Sequence, residues 1–258
     1  MHPSDSNERD LATISSPPPY SPETFRPAYA SAHNRARIVT VLLTASAVLS
    51  LGSILLSALQ FLFPQLALAE EEINAPELIV FGLLILGVGL IQIGVYIATI
   101  VVFLMWLYRS YENLPSFGAH KNSIQYSSGW AMGSFFIPFV NLIIPYRAVK
   151  ELWTKSVPNR LEMFSEPGPP GFFPMWWAAW LLSNFANNAY MRLAWNQQLN
   201  PEVDLALGVL TGMLDIVSAV LAIMVVRAID KQQEESASLV PRGLMNPSIP
   251  PPPAFGPA

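Results

Sequence analysis

The chain has 258 residues, of which 52% are hydrophobic and 12% charged, and its formal net charge is −4. An ordinary soluble domain carries roughly a quarter charged residues, so this composition points to a membrane protein, and no basic patch interleaved with aromatics suggests nucleic acid. The absence of cysteine excludes disulfides, thiol catalysis and cysteine metal sites.

In chain order, residues 1–34 are polar and proline-containing, unable to bury enough apolar surface to fold alone, and read as a disordered cytoplasmic tail. Within them Pro17, Pro18, Pro19 and Tyr20 match the P-P-x-Y ligand of WW domains, a motif short enough to recur by chance. The apolar run at 38–63 is preceded by Arg35 and Arg37 and ended by Pro64. It starts too far in and runs too long for a cleaved signal peptide, so it reads as a retained first span. Ser46, Ser50, Ser53 and Ser57 recur along it at helical spacing, a face on which a neighbour can pack closely. Residues 66–77 carry Glu70, Glu71, Glu72 and Glu77 with no Lys or Arg, which suits the non-cytoplasmic side.

Residues 78–108 run without a charge for roughly 46 Å of helix, against a hydrocarbon core of about 30 Å, so this second span tilts or protrudes. Gly82, Gly87, Gly89 and Gly94 would let partner backbones approach it closely. Trp106, Tyr108 and Arg109 close it as an interfacial belt of aromatics and a cation.

The next stretch, 129–153, is apolar enough to enter a bilayer and broken in the wrong places to cross one. Its apolar part is about fifteen residues, short of the roughly twenty a spanning helix needs. Pro138 and Pro145 interrupt the backbone ladder, and Asn141 brings an amide that hydrocarbon cannot satisfy. The expectation is a helical hairpin, re-entrant or interfacial, covered by other helices. Charge supports a return to the same side. If the stretch crossed, Arg147, Lys150, Lys155 and Arg160 would lie outside, with Arg227 and Lys231 after them. Tyr108-Arg109 and Tyr146-Arg147, each followed by Leu at the seventh place, read as paired amphipathic stems, with Trp153 a further interfacial anchor.

Residues 156–173 are a Pro- and Gly-rich loop. The third span, 174–195, begins with Trp176, Trp177 and Trp180 as inner-end anchors, then carries Ser183, Asn184, Asn187, Asn188 and Arg192. Trp176, Trp180, Asn184, Asn188 and Arg192 lie four apart, a stripe that must face protein or water. The fourth span, 205–226, has a GxxxG contact face at Gly208 and Gly212, and places Asp215 near mid-depth. Residues 230–258 turn charged and then proline-rich and read as a second disordered cytoplasmic tail.

Ionisable groups within a span are costly and mark functional positions. The candidate polar network is therefore Asn141, Asn184, Asn188, Arg192 and Asp215, with Asn188 bridging Arg192 to Asp215. Three readings stay open: a structural network that fixes helix register, a proton or ion pathway, and an Asp215 that simply carries a proton. The histidines His2, His33 and His120 assemble no metal or catalytic set, and no Gly-rich phosphate loop occurs, so neither a cofactor nor an enzymatic activity is expected.

The blocks at 103–114, 128–153 and 176–184 resemble a bacterial membrane family catalogued as domain of unknown function 4328. Its pattern W-L-Y-R-A-x-x-N-L falls at Trp106 to Leu114, and S-P-G-W-A falls at Ser127 to Ala131. F-I-P-x-x-N-L-x-x-P-Y-R-A-x-x-E-L-W falls at Phe136 to Trp153, and W-W-x-x-W-L-L-S-N at Trp176 to Asn184. Ser128 stands where the pattern has Pro, and Ser110 where it has Ala. The resemblance implies a multi-span membrane protein and no activity, ligand or catalytic residue.

The expected architecture is an all-α integral membrane protein with four transmembrane helices plus a re-entrant or interfacial hairpin between the second and third. Its place is the cell membrane, with both termini cytoplasmic. The expected role is a non-enzymatic scaffold or interaction module. It would meet the lipid bilayer, a cytoplasmic protein partner through the inner-face stems or the Pro17-Pro18-Tyr20 segment, and a second copy of itself. The alternative is a small-solute or ion permease using the polar stripe.

Overall fold

The computed structural model describes residues 27–62, 76–119, 121–157, 168–196 and 199–239. Four long helices dominate it: α1 (His33–Leu62), α2 (Pro76–Glu112), α5 (Phe172–Trp195) and α6 (Pro201–Leu239). Two short helices, α3 (Ser128–Gly133) and α4 (Ile144–Lys155), lie between α2 and α5, with 3-10 turns at Leu114–Phe117, Lys121–Ser123 and Val140–Leu142. No strand occurs among the described residues. The Pro17–Tyr20 motif, the acidic connection 63–75, Arg160 and residues 240–258 lie outside them.

Local chemistry sets the helix starts. Pro76 and Pro201 open α2 and α6, where a missing N–H costs nothing. Before α6, the Asn200 side chain accepts from Val203 N at 2.8 Å, and Glu202 and Asp204 complement the positive end of the helix dipole. Ser127 caps α3 by accepting from Trp130 N at 3.1 Å. Gly118, at φ 96°, ends the turn after α2 in the left-handed region that suits glycine.

The long helices pack in the order α2, α1, α6, α5, with α6 between α1 and α5. Small residues set the close approaches, as the GxxxG pair predicts. Gly212 meets Ile54 and the Ser50 carbonyl of α1, while Gly208 faces the Tyr190 hydroxyl of α5. The glycines of α2 behave differently from expectation: a Cβ at Gly82, Gly87, Gly89 or Gly94 would meet nothing within 4 Å. Leu86, Leu90, Ile93 and Ile97 on the same helix are exposed, so this half of α2 presents an apolar surface rather than a packed one.

Among the described residues three stretches are long and apolar enough to cross a membrane: His33–Leu59, Leu86–Phe117 and Pro201–Leu239. Helix α5 has the length, about 36 Å for its 24 residues, but its serine, asparagines and arginine keep it out of that set.

The tight core gathers at one end, here called the inner end. It joins the first turns of α1 (Ala36, Val39), the last of α2 (Trp106, Leu107, Tyr111), α4 (Val149, Leu152), the first turns of α5 (Phe173, Trp176) and the later part of α6 (Val225, Val226, Ile229). Helix α6 does not stop near 226. It continues through residues 230–239, which the sequence reading assigned to a tail, with Asp230, Gln233 and Ser236 buried. Gln233 Nε2 donates to Ser110 O and to Ser156 Oγ, both at 3.0 Å.

The same extension holds the segment before α1, so residues 27–34 are not a free tail either. His33 Nδ1 lies 2.8 Å from Asp230 Oδ2, and Tyr29 and Ser31 both donate to Glu234. Burial, with the Glu234 carboxylate beside it, pushes the Tyr29 phenol far above its usual range and keeps it a donor. Asn113 clasps Ala30 by both main-chain groups, accepting from its N at 3.3 Å and donating to its O at 3.0 Å.

Candidate functional site

Between α2 and α5 the chain forms helix α3, an irregular turn and helix α4. The break has a defined shape. Val140 N donates to Pro138 O at 2.8 Å around Phe139, whose φ of 64° and ψ of −38° make a γ-turn of the strained kind. At this tip Phe139 is 84% and Phe136 68% exposed. A strained backbone that presents two phenylalanines outward is costly in water, and the surrounding residues hold it in place.

Phe135 is the plug. Its ring packs edge-on against Phe103 of α2 at 5.8 Å and against Trp177 and Trp180 of α5 at 6.3 and 6.4 Å. Trp177 stacks on Trp180 at 4.7 Å and donates from Nε1 to Leu142 O at 2.9 Å, gripping the turn from the far side of the break. On the stem, Tyr111 OH donates to Ala148 O at 2.6 Å. Glu151 of α4 accepts from the main-chain nitrogens of Gln125 and Tyr126, the second at 3.2 Å. Ser128 donates to Glu112 at 2.6 Å and joins α3 to α2.

The predicted interfacial anchors divide accordingly. Trp106, Trp176 and Trp177 are buried in protein, at 0%, 3% and 6% exposure, and belong to the core rather than to a belt. Trp153 packs edge-on against Phe173 at 5.4 Å. Trp180 and Tyr146 are half-buried, while Tyr108 and Arg147 are exposed. Arg109 turns inward, donating from Nε to Ala30 O at 3.2 Å.

The predicted polar network also divides. Asp215 Oδ1 accepts from Asn187 Nδ2 at 2.9 Å and from the buried hydroxyl of Ser183. Arg192 is exposed and forms no ion pair with Asp215. Asn184 and Asn188 donate to main-chain oxygens of their own helix, Trp180 O at 2.7 Å and Asn184 O at 2.8 Å. Asn141 sits in the 3-10 turn of the hairpin, half-buried, and shares no hydrogen bond with the others. The face of α5 turned to Asp215 is thus Ser183 and Asn187, one residue round from the predicted stripe. The two stripes share the i, i+4 spacing, so spacing alone does not separate them. Phe135 carried no signal beyond lying in the interrupted stretch, and Glu151 only its place in the E-L-W of the family pattern.

Compared with known proteins, residues 69–231 match the model of one family, described as Domain of unknown function (DUF4328). The chain belongs to that family. The matched region runs from before α2 to just past Asp230 and takes in the hairpin, the aromatic plug and Asp215, whereas α1 precedes it. No curated protein shows significant similarity to the chain. No solved structure does either.

Proposed function

We propose that the chain is a four-span module of the cell membrane that acts as a non-enzymatic scaffold, with its inner end in the cytoplasm as the working face. The observation that carries this is the hairpin: an apolar tip, Phe136 to Phe139, projects from stems fixed at the inner end, as a wedge entering the near leaflet would. Exposed cations support the orientation. Arg37, Arg147, Lys150, Arg227 and Lys231 lie on the inner-end parts of α1, α4 and α6, where cytoplasmic charge belongs. In this reading α5 is the remaining span, its polar residues served by α6 and by their own helix. The working face then combines the α4 surface with the last turns of α6, rigid enough to hold a cytoplasmic partner without reorganising.

Single introduced cysteines test the layout cleanly, because the native chain has none. Labels at Lys150 and Lys231 are expected to react only from the cytoplasmic side, and a label at Lys150 reached only from outside sinks the hairpin reading. Pull-down of the full chain against variants altered at exposed Arg147 and Lys150 tests the scaffold role. Identical partner sets would count against it.

The permease alternative needs Asn141, Asn184, Asn188, Arg192 and Asp215 to line one path. Their hydrogen bonds run to different places, so the connected stripe it relied on is missing. Flux into liposomes that is abolished by Asp215→Asn would nonetheless restore it.

A further inference from the structure

Both donors that reach Asp215 among the described residues, Ser183 Oγ and Asn187 Nδ2, converge on Oδ1, and none of those residues donates to Oδ2. An ionised carboxylate spreads its charge over two oxygens, each seeking partners, whereas a neutral carboxyl has one accepting oxygen and one hydroxyl. The one-sided pattern leaves Oδ2 free to carry the hydroxyl of the neutral form.

The charges on the packed helices point the same way. On α1 the titratable side chains are His33, Arg35 and Arg37, all at its inner start. On α5 they are Tyr190 and Arg192. On α6 the others are Glu202 and Asp204 at one end and Arg227, Asp230, Lys231, Glu234 and Glu235 at the other. None forms an ion pair with Asp215. Tyr190 instead donates to Asp204 at 3.0 Å near the α5–α6 connection, and Gly208 leaves room beside its hydroxyl. Polar or small residues therefore line the α5–α6 seam from that connection to Asp215, through Tyr190, Gly208 and Asn187.

We propose that Asp215, held by Ser183 and Asn187, is a proton-binding site reached along the α5–α6 seam from the connection between those helices. A proton from water at that end adds to an oxygen lone pair of the carboxylate and makes it neutral. The proposal is independent of the scaffold role, so a failed pull-down leaves it standing.

The test uses the full chain in phosphatidylcholine vesicles, treated with dicyclohexylcarbodiimide, a membrane-soluble reagent that adds to protonated carboxyls, and read by peptide mass spectrometry. Asp215 is expected to be labelled at neutral pH, with the adduct falling as pH rises, and Asp215→Asn should remove it. Because the parent chain carries the readout, misfolding of a variant does not blur the result. An Asp215 that is unlabelled even at acid pH, or labelled equally at every pH, overturns the site. A water-soluble carbodiimide then tests the route. Labelling of the parent that is lost in Gly208→Leu, while the dicyclohexylcarbodiimide adduct of that variant persists, supports the seam, and labelling unchanged by that substitution overturns it.

Discussion

Gly212 lies so close to Ile54 that a Cβ added to it would stand 2.7 Å from Ile54 Cγ1 and 2.8 Å from Cδ1. Helix α6 can approach α1 at this point only because residue 212 has no side chain. Gly212→Ala should therefore destabilise the α1–α6 contact by about 1–3 kcal/mol, the usual range for overpacking. Ile54→Ala in the same chain should recover part of that loss, giving a coupling of roughly 0.5–3 kcal/mol in a double-mutant cycle. Thermal melts of the four proteins in one detergent measure it, and strictly additive losses would mean that the two residues do not touch.

Gln233 fixes the last turns of α6 to the rest of the fold. It is 1% exposed and joins the end of α6 to both α2 and α4. Gln233→Leu keeps the volume but leaves Ser110 O and Ser156 Oγ without that donor, a loss of about 1–3 kcal/mol. Ending the chain after Leu239 should change stability by no more than about 0.5 kcal/mol, whereas ending it after Ile229 should lower Tm sharply. Equal melting of the two truncated chains would contradict the buried extension.

Glu151 holds the start of the hairpin through the main-chain nitrogens of Gln125 and Tyr126. With Glu151→Ala both nitrogens lose their acceptor, a loss of about 1–3 kcal/mol. Glu151→Gln keeps a carbonyl oxygen in reach and should cost less. If alanine is tolerated as well as glutamine, the carboxylate is not what fixes this loop.

Phe139 adopts a positive φ of 64° with a full side chain. Phe139→Gly should relieve that strain and raise stability in detergent by about 1 kcal/mol, less the cost of a freer unfolded chain. It should at the same time weaken contact between the tip and lipid, read as less quenching of nearby Trp130 by brominated acyl chains. A lowered Tm with unchanged quenching would remove both strain and insertion from the account.

Much of this fold is visible in the sequence because hydrophobic length is visible. The runs at 38–63 and 78–108 each lie inside a helix to within a few residues, and Pro138 with the short apolar stretch marks the break. Direction is harder to see than length. Ser183 and Asn187 compete with Asn184 and Asn188 as the face turned to Asp215, and only packing on α6 chooses between them. The tryptophans mislead for a related reason. An amphipathic ring suits an interface, but Trp106 and Trp176 fill the core, where Phe103 packs against both. The extension of α6 left a usable sign. From Ala228 to Leu239 the chain has no Gly or Pro and is rich in Gln, Glu and Ala, which continue a helix readily. Its polar character suggested a tail, while the packing of Ile229 and Gln233 at the inner end made it part of the fold.

The clasp of Asn113 on Ala30 reads peptide groups and ignores the side chain between them. Position 30 should therefore accept most amino acids except proline, which has no N–H to give, while position 113 should accept almost none. The way the leading segment is tethered is thus written at the residue that follows helix α2, and the segment itself can change its composition without letting go.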